Sequence, residues 1–513
     1  MKRFLLMVVA TGLSWSTPVL AGLPCGTPAL IDTFTQTTPK ILPPRPPSPS
    51  KGIRDAQAGV CSGQETSENF VLKWGGDAVP ATSEIEQIMD ALETSWQHEL
   101  NVMNHAHPYG TSDYLFNVYV GDSGGCTPSA FGMGGYYTTD SEGWPIIVLS
   151  QGVFDNPDFG QTTVAHEFYH AVQHAEGAYA TGGDVQWWWE ATAMWVEGEV
   201  YPATEDYYVF LYGYAFQPHH QLNAYQYPGT GALQEYHQYG AAIWPRYLTE
   251  YMTSWETIRD SWSEASAYDD PVDMVASMLD EPIEEVFADF AAHNATWDYL
   301  HGDNIAAYLD YISESQSYGS QDRRITDYVT SSGTGERWQD PPIDTLPQRY
   351  GYNTIRMNRP GKGTVTVRFE GDETGGSGSE ASWQVRVVRE MSSRAEYETV
   401  FLDEDGSGEA DIEVKGTEDA LYLVASVTSP AWNEGETFNY QYQIDAKETD
   451  GGSGSADGPG PQDDDPLPAG GAYQPYSKAD SGCSTAPLGG GDRSVAWFIL
   501  ALAGLVSRRQ QYR

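Results

Sequence analysis

The run His166-Glu167-Phe168-Tyr169-His170 sets two imidazoles at i and i+4, and Glu190 follows twenty positions after the second, within Trp187-Trp188-Trp189-Glu190-Ala191-Thr192-Ala193. On a helix, residues four apart share a face with Cβ atoms roughly 6 Å apart, close enough to grip one metal ion at Zn–N distances of about 2.0–2.1 Å. Glu167 is turned about 100° around the same helix, so it can stand beside the ion without binding it and work on an attacking water. A catalytic zinc site takes three protein ligands and keeps its fourth position for water or substrate. His166, His170 and Glu190 would supply those three, with Zn2+ as the expected cofactor and Glu167 as general base. The bland alternative is a hydrogen-bonded histidine pair beside a solvated acidic helix, with no metal.

A pentapeptide alone is weak, so its flanks matter. Val164, Ala165, Phe168, Ala171 and Val172 recur at helical spacing and give the histidine helix a surface to bury. In residues 187–200, Trp188, Ala191, Trp195 and Gly198 follow a period near that of a helix, while Glu190, Met194 and Glu197 share another face. Two helices crossing here would carry Glu190 to the histidines. His174 continues the histidine face by one turn, too far along to chelate with the others, and reads as a supporting or surface residue. Glu197 either orients a ligating histidine from behind or is a solvated helix residue.

The elements that must position this set begin near Phe70. Ser83 with Glu86 forms a capping-box pattern, and Ile85, Ile88, Met89, Leu92, Trp96, Leu100 and Met103 keep one apolar face over about five turns. Residues 114–120 and 146–149 read as strands, separated by a Gly-rich stretch around Gly124, Gly132, Gly134 and Gly135. Residues 235–251 read as a further helical stretch.

The histidine motif with its downstream glutamate resembles the gluzincin metallopeptidases. The strings His166-Glu-Phe-Tyr-His-Ala-Val-Gln and Trp-Trp-Glu-Ala-Thr-Ala-Met-Trp-Val-Glu resemble a group of secreted metalloproteases of myxobacterial type. The likeness spans roughly 70–297 and implies His166, His170 and Glu190 as zinc ligands and Glu167 as general base. It further implies that the strand at 144–150 is an edge strand lying along the cleft, where it pairs with the substrate backbone. In the second lobe, Tyr236, His237 and Tyr239 are the residues able to donate to a tetrahedral oxyanion, Tyr239 being the preferred one; the alternative is that all three are packing aromatics. One departure stands out. Thermolysin-like members carry an aspartate four residues after the ligand glutamate, bonded to a zinc histidine, whereas this chain has Met194, so the support of its histidines must be built differently.

Composition bounds the rest. A chain of 513 residues should hold about two folded domains plus extras. Its net charge of −45 makes nucleic acid and anionic membrane surfaces poor partners, since both would repel it, and suits salty surroundings that screen self-repulsion. Lys2-Arg3, an apolar stretch and Val19-Leu20-Ala21 read as a secretory signal peptide over 1–21. Export permits a disulfide; among Cys25, Cys61 and Cys126 the expected pair is Cys25–Cys61, leaving one over. The sharper alternative is a cysteine of the N-terminal segment capping the zinc, because thiolate is a good zinc ligand, although no latency motif is recognisable. Residues 22–69, with Leu42-Pro43-Pro44-Arg45-Pro46-Pro47, suit an extended linker or propeptide.

From about Arg349 the pattern turns to period two: Val365, Val367, Phe369; Trp383, Val385, Val387; Leu421, Leu423, Ala425; Phe438, Tyr440, Tyr442, Ile444. That alternation predicts a β-sandwich over 349–445. Asp403-Glu404-Asp405-Gly406-Ser407-Gly408 suggests half a calcium loop but lacks a glutamate at the twelfth position, so a hairpin turn is expected. Residues 446–482 are a Gly/Asp/Pro/Ser spacer. The tail at 483–513, with Cys483, an apolar run and Arg508-Arg509, resembles the MYXO-CTERM sorting domain, which implies processing by a sorting protease and display at, or release from, the outer membrane. Together these readings predict an α+β chain: a zincin-like catalytic domain of mixed sheet, active-site helix and helical second lobe over 70–330, then an all-β sandwich. The function expected is a surface-attached zinc endopeptidase acting on protein or peptide, with oligomeric state open. The alternative is a non-catalytic surface adhesin or glycan-binding protein with a structural or vestigial zinc site.

Overall fold

The computed structural model describes Cys25, Thr27, residues 51–54 and residues 59–448, apart from 181–184, 205–207, 227–229, 316–317, 393 and 431–432. The signal peptide and the sorting tail expected from the sequence, and the expected spacer from residue 449 onward, lie outside the described residues. Among the described residues no helix is long and apolar enough to cross a membrane.

The chain is α+β, as its patterns predict. Strands β1 (Gly63–Thr66), β2 (Phe70–Trp74), β3 (Phe116–Val120), β4 (Gly135–Thr139) and β5 (Pro145–Leu149) form a mixed sheet in the order β1-β2-β3-β5-β4. β2, β3 and β5 run parallel, and the last two are buried along their whole length, as interior parallel strands covered on both faces must be. β4 pairs antiparallel to β5 and ends the sheet. This corrects the expected cleft strand: 144–150 is interior, and the edge belongs to β4, drawn from the Gly-rich stretch. Ordered structure also starts before Phe70, because β1 pairs with β2.

Helix α1 (Thr82–Ser95) continues as a π turn through Trp96–Val102, so the apolar stripe expected as one helix is wound in two ways. Its start is shifted from the Ser83/Glu86 pattern: Glu84 Oε2 accepts from Ala81 N at 2.6 Å. Helix α2 (Pro157–Glu176) carries the histidine motif, opened by Asn156, whose Oδ1 accepts from Asp158 N and Phe159 N, and closed by Gly177 at φ 73°. Helix α3 (Gln186–Val200) crosses it and is buried all round save Glu199. The expected helix at 235–251 is broken into short pieces, Leu233–Tyr236, His237–Gly240, Ile243–Tyr247 and Leu248–Met252.

Downstream, β6 (Asp327–Val329), β7 (Gly351–Asn358), β8 (Gly363–Gly371), β9 (Ser382–Met391), β10 (Arg394–Val400), β11 (Ser407–Val414), β12 (Ala420–Thr428) and β13 (Tyr440–Glu448) form two sheets, β10-β9-β12-β7-β6 and β11-β8-β13. Every period-two residue named from the sequence lies in the core these sheets share. The alternate positions Val388, Ala420, Tyr422 and Val424 face the other way, into the core of the helical part, where helix α4 (Ile283–Thr296) packs on β9 and β12. Arg386, itself buried, ties the seam by reaching Glu285 at 2.5 Å and Asp289 at 2.7 Å. The 403–408 segment is a turn, with Asp403 N donating to Ser407 O and Gly406 at φ 77°. The sheets reach beyond the expected 349–445, since β6 pairs with β7 and β13 runs to Glu448.

The expected Cys25–Cys61 pair does not form. Cys61 is bonded to Cys126, whose Cα lies 4.9 Å away, and Cys25 is free and buried. The bridge closes a loop of 65 residues, for which chain entropy gives about 4 kcal/mol. Replacing both cysteines, Cys61→Ser with Cys126→Ser, should lower stability by about 2–4 kcal/mol in urea unfolding followed by fluorescence; an unchanged midpoint would sink this.

Burial pushes His219 and His237 down to about 3, with neighbouring His220 adding to it. Both are therefore neutral in the folded chain, whereas unfolded they take up protons below about 6.5. The unfolded state then binds more protons, so stability is fully present above about pH 6.5 and falls as pH drops toward 3. The thermal midpoint should decline from pH 7 to pH 4, and less steeply in His237→Asn, which keeps a donor for Ala224 O.

Candidate metal centre

The crossing of α2 and α3 places Glu190 between the two motif histidines. His166 Nε2 lies 3.3 Å from Glu190 Oε2, and His170 Nε2 lies 3.4 Å from Glu190 Oε1. Cys25 Sγ sits 3.5 Å from His170 Nε2. Ligands on a tetrahedral zinc are separated by about 3.4–3.6 Å, from bonds of about 2.0–2.3 Å, so these spacings match the edges of one coordination tetrahedron. Ligand atoms of Cys25, His166, His170 and Glu190 all lie within 4.8 Å of one another, and all four residues are buried. This cluster could hold a metal ion.

The remaining ring nitrogens show which atoms are left free. His166 Nδ1 is 2.7 Å from Glu197 Oε1, and His170 Nδ1 is 2.7 Å from Gln173 Oε1. The Gln173 amide is locked by donating to Trp189 O and Thr192 Oγ1, both at 2.9 Å, so its oxygen must face the imidazole. Each ring then donates through Nδ1 and turns the Nε2 lone pair to the cluster, the arrangement by which metal-ligating histidines are oriented. Of the two roles open to Glu197 from the sequence, the structure shows the first: it lies on α3, two turns beyond Glu190, and supports His166 from behind, where Met194 cannot.

Glu190 supplies the test of fit. It is fully buried, its Oε1 has no hydrogen-bond partner, and the groups acting on it are His166 and Tyr239, with no lysine or arginine among them. Burial pushes its carboxyl upward, as it pushes up the Cys25 thiol. A buried cation would reverse both effects and occupy the orphaned oxygen. The donor set of two imidazoles, a carboxylate and a thiol suits a borderline-soft divalent ion.

Glu167 borders the cluster without joining it. Gly135 at the start of β4 leaves it room, since a Cβ there would come within 3.0 Å of Glu167 Cγ. Burial pushes the Glu167 carboxyl up to about 7, against the pull of His166. Its Oε2 accepts from Thr27 Oγ1 at 3.1 Å and lies 3.5 Å from Cys25 Sγ. Opposite, Tyr239 OH donates to the Cys25 carbonyl at 3.1 Å. Tyr239 is held by close backbone packing, because Gly240 approaches Tyr214 N and Phe210 O so nearly that a Cβ would sit at 2.7–2.8 Å.

Of the three donors considered from the sequence, only Tyr239 reaches the cluster. Tyr236 stacks on Phe210 at 5.6 Å, and His237 Nδ1 donates to Ala224 O. His174 does not ligate; its Nδ1 is 2.6 Å from Tyr137 OH. The sequence reading missed Gln173, Thr27 and Gly135 and paired Cys25 wrongly. Gln173 was accessible from its i+3 spacing to His170, but nothing local marks Thr27 or Gly135 as neighbours of Glu167.

Residues 50–450 match the family of unknown function DUF6055, and the chain belongs to that family. No curated protein matches the sequence.

Removing an oriented partner of a ligating histidine typically weakens metal binding 10–100-fold. Glu197→Ala should therefore lower metal affinity by about that factor, with Glu197→Gln in between, measured by competition with a chromophoric chelator. Equal affinity in all three proteins would mean that Glu197 does not support the site.

Proposed function

We propose that this member of the DUF6055 family is a zinc-dependent endopeptidase with a zincin-like catalytic lobe and a C-terminal β-sandwich. The observation that carries the reading is the placement of His166, His170 and Glu190 at tetrahedral spacing with Glu167 beside them and Tyr239 across from it. A purely structural site has no need of a buried, non-ligating carboxylate next to its ligands.

Zinc held by His166, His170 and Glu190 would act as a Lewis acid toward the scissile carbonyl and toward an attacking water. Glu167 accepts the proton from that water as it attacks and hands it to the leaving amine. Tyr239 donates its hydroxyl hydrogen to the oxygen that gains charge, as it now donates to the Cys25 carbonyl. The outer edge of β4, which ends the sheet among the described residues, can take an extended peptide by strand addition, and Tyr137 N already donates to a residue outside the sheet, Thr27. The substrate is protein or peptide, since the acidic chain repels nucleic acid. Export by the 1–21 segment and surface attachment or release through the 483–513 tail complete the reading, with the β-sandwich as a targeting unit.

A second reading has an observation in its favour. Cys25 adds a fourth protein ligand, and four-ligand sites are those of structural zinc, so the chain could be a surface adhesin whose metal only holds the fold. Zinc content by elemental analysis and casein hydrolysis separate the two. Glu167→Gln should keep about one zinc per chain and lower chelator-sensitive hydrolysis by about 10²–10⁴-fold. Equal hydrolysis by the variant would end the peptidase assignment, and lack of zinc in both proteins would end the site.

A further inference from the structure

We propose that the N-terminal segment carrying Cys25 and Thr27 is a built-in inhibitor: the Cys25 thiolate takes the fourth metal position and its backbone carbonyl takes the place of a scissile carbonyl. The inference rests on the zinc-peptidase reading and adds its regulation.

Two residues of one segment occupy every group that a substrate would need. Cys25 Sγ stands in the ligand cluster, 3.5 Å from His170 Nε2. The Cys25 carbonyl accepts the hydroxyl of Tyr239 at 3.1 Å, so the oxyanion donor is taken. Thr27 Oγ1 donates to Glu167 Oε2 at 3.1 Å and accepts from Tyr137 N of edge strand β4 at 2.8 Å, so the general base and part of the substrate edge are taken too. Thr27 N in turn lies 3.2 Å from Cys25 Sγ, which closes a tight local arrangement around the sulfur. Cys25 is 6% exposed and Thr27 0%, and the second observation pointing to a ligand is the buried Oε1 of Glu190 in the same cluster, which accepts no hydrogen bond.

The chemistry is a ligand exchange. With a metal held by His166, His170 and Glu190, the Cys25 thiol would give its proton to solvent and its sulfur would stand in for a water as the fourth ligand, with no redox partner needed. Because cysteine binds zinc through its sulfur, the segment would be released when the sulfur is alkylated or pulled away with the chain that carries it. A tethered ligand acts at an effective concentration on the order of millimolar, enough to exclude an ordinary peptide substrate. The free thiol, in a chain whose other described cysteines are disulfide-bonded, is thereby kept from oxidation by ligation and burial.

The test uses the full chain loaded with cobalt for spectroscopy and with zinc for activity, comparing wild type with Cys25→Ala and Cys25→Ser. We expect a thiolate-to-cobalt charge-transfer band in wild type and none in either variant, together with casein cleavage faster by about tenfold or more in the variants. Cys25→Ala combined with Glu167→Gln should be inactive. Stoichiometric cobalt without the band overturns the proposal and leaves the peptidase reading standing. A band with equal cleavage by wild type and variants also overturns it. A band with no cleavage by any of the proteins overturns the peptidase reading and latency with it, leaving Cys25 as a structural ligand. Retention of cobalt by the variants shows that they are folded at the site, so their rates can be read.

Discussion

A carboxylate buried between two imidazoles is the constraint around which this chain is organised. Taking an ionised group out of water costs several kcal/mol unless a partner compensates, and Glu190 has neither lysine nor arginine to do so. The α2–α3 crossing therefore packs a polar centre in which His166 is the nearest compensating group and which could hold a cation. Its surroundings follow from that need. Trp187, Trp188, Trp189 and Trp262 are fully buried around it, keeping the region dry, and Trp262 Nε1 and Trp188 O engage Thr192, which in turn holds Gln173. The histidine rings are thus fixed by a chain of contacts that reaches well outside the ligands.

The same packing explains what borders the centre. β4 ends the sheet beside α2, and Gly135 leaves a gap into which the Glu167 carboxyl fits. Across it, Tyr239 is held by glycine-mediated contact between Tyr212–Ala215 and His237–Gly240. Between these walls lie Cys25 and Thr27. Its contacts use backbone carbonyl, hydroxyl and thiol together, which is how an extended peptide would be held at an edge strand next to a metal.

The β-rich C-terminal part is fastened to this centre rather than hung from it. The sheet β10-β9-β12-β7-β6 is covered on both faces, by the three-stranded sheet on one side and by α4 on the other. Arg386 places a guanidinium in that seam against two carboxylates, which fixes orientation more than it adds stability. His219 and Pro218 add backbone bonds from Gln348 and Tyr352, so the helical pieces that position Tyr239 share supports with the sheets.

Local patterns were enough for whatever depends on spacing along one element. The i, i+4 histidines with Glu167 between them, the helix around Glu190, and the period-two residues from Val365 to Ile444 were legible because helix and strand geometry turn sequence intervals directly into faces. The α+β class followed from those periods. What the sequence left open depended on which distant segments meet. No interval says that Cys61 pairs with Cys126 while Cys25 reaches the two histidines and Glu190, because loop closure across 65 or more residues leaves no local mark. Nor could it show that β4, hidden among glycines, is the sheet edge instead of the apolar strand 145–149, since an apolar run signals burial and burial is what an edge lacks. Glu197 was visible as a residue on the right face of its helix, but its choice between water and His166 was made by the crossing of α2 and α3. The candidate ligand chemistry was written in residue types; that Cys25 joins His166, His170 and Glu190 was decided only when the fold brought these distant residues together.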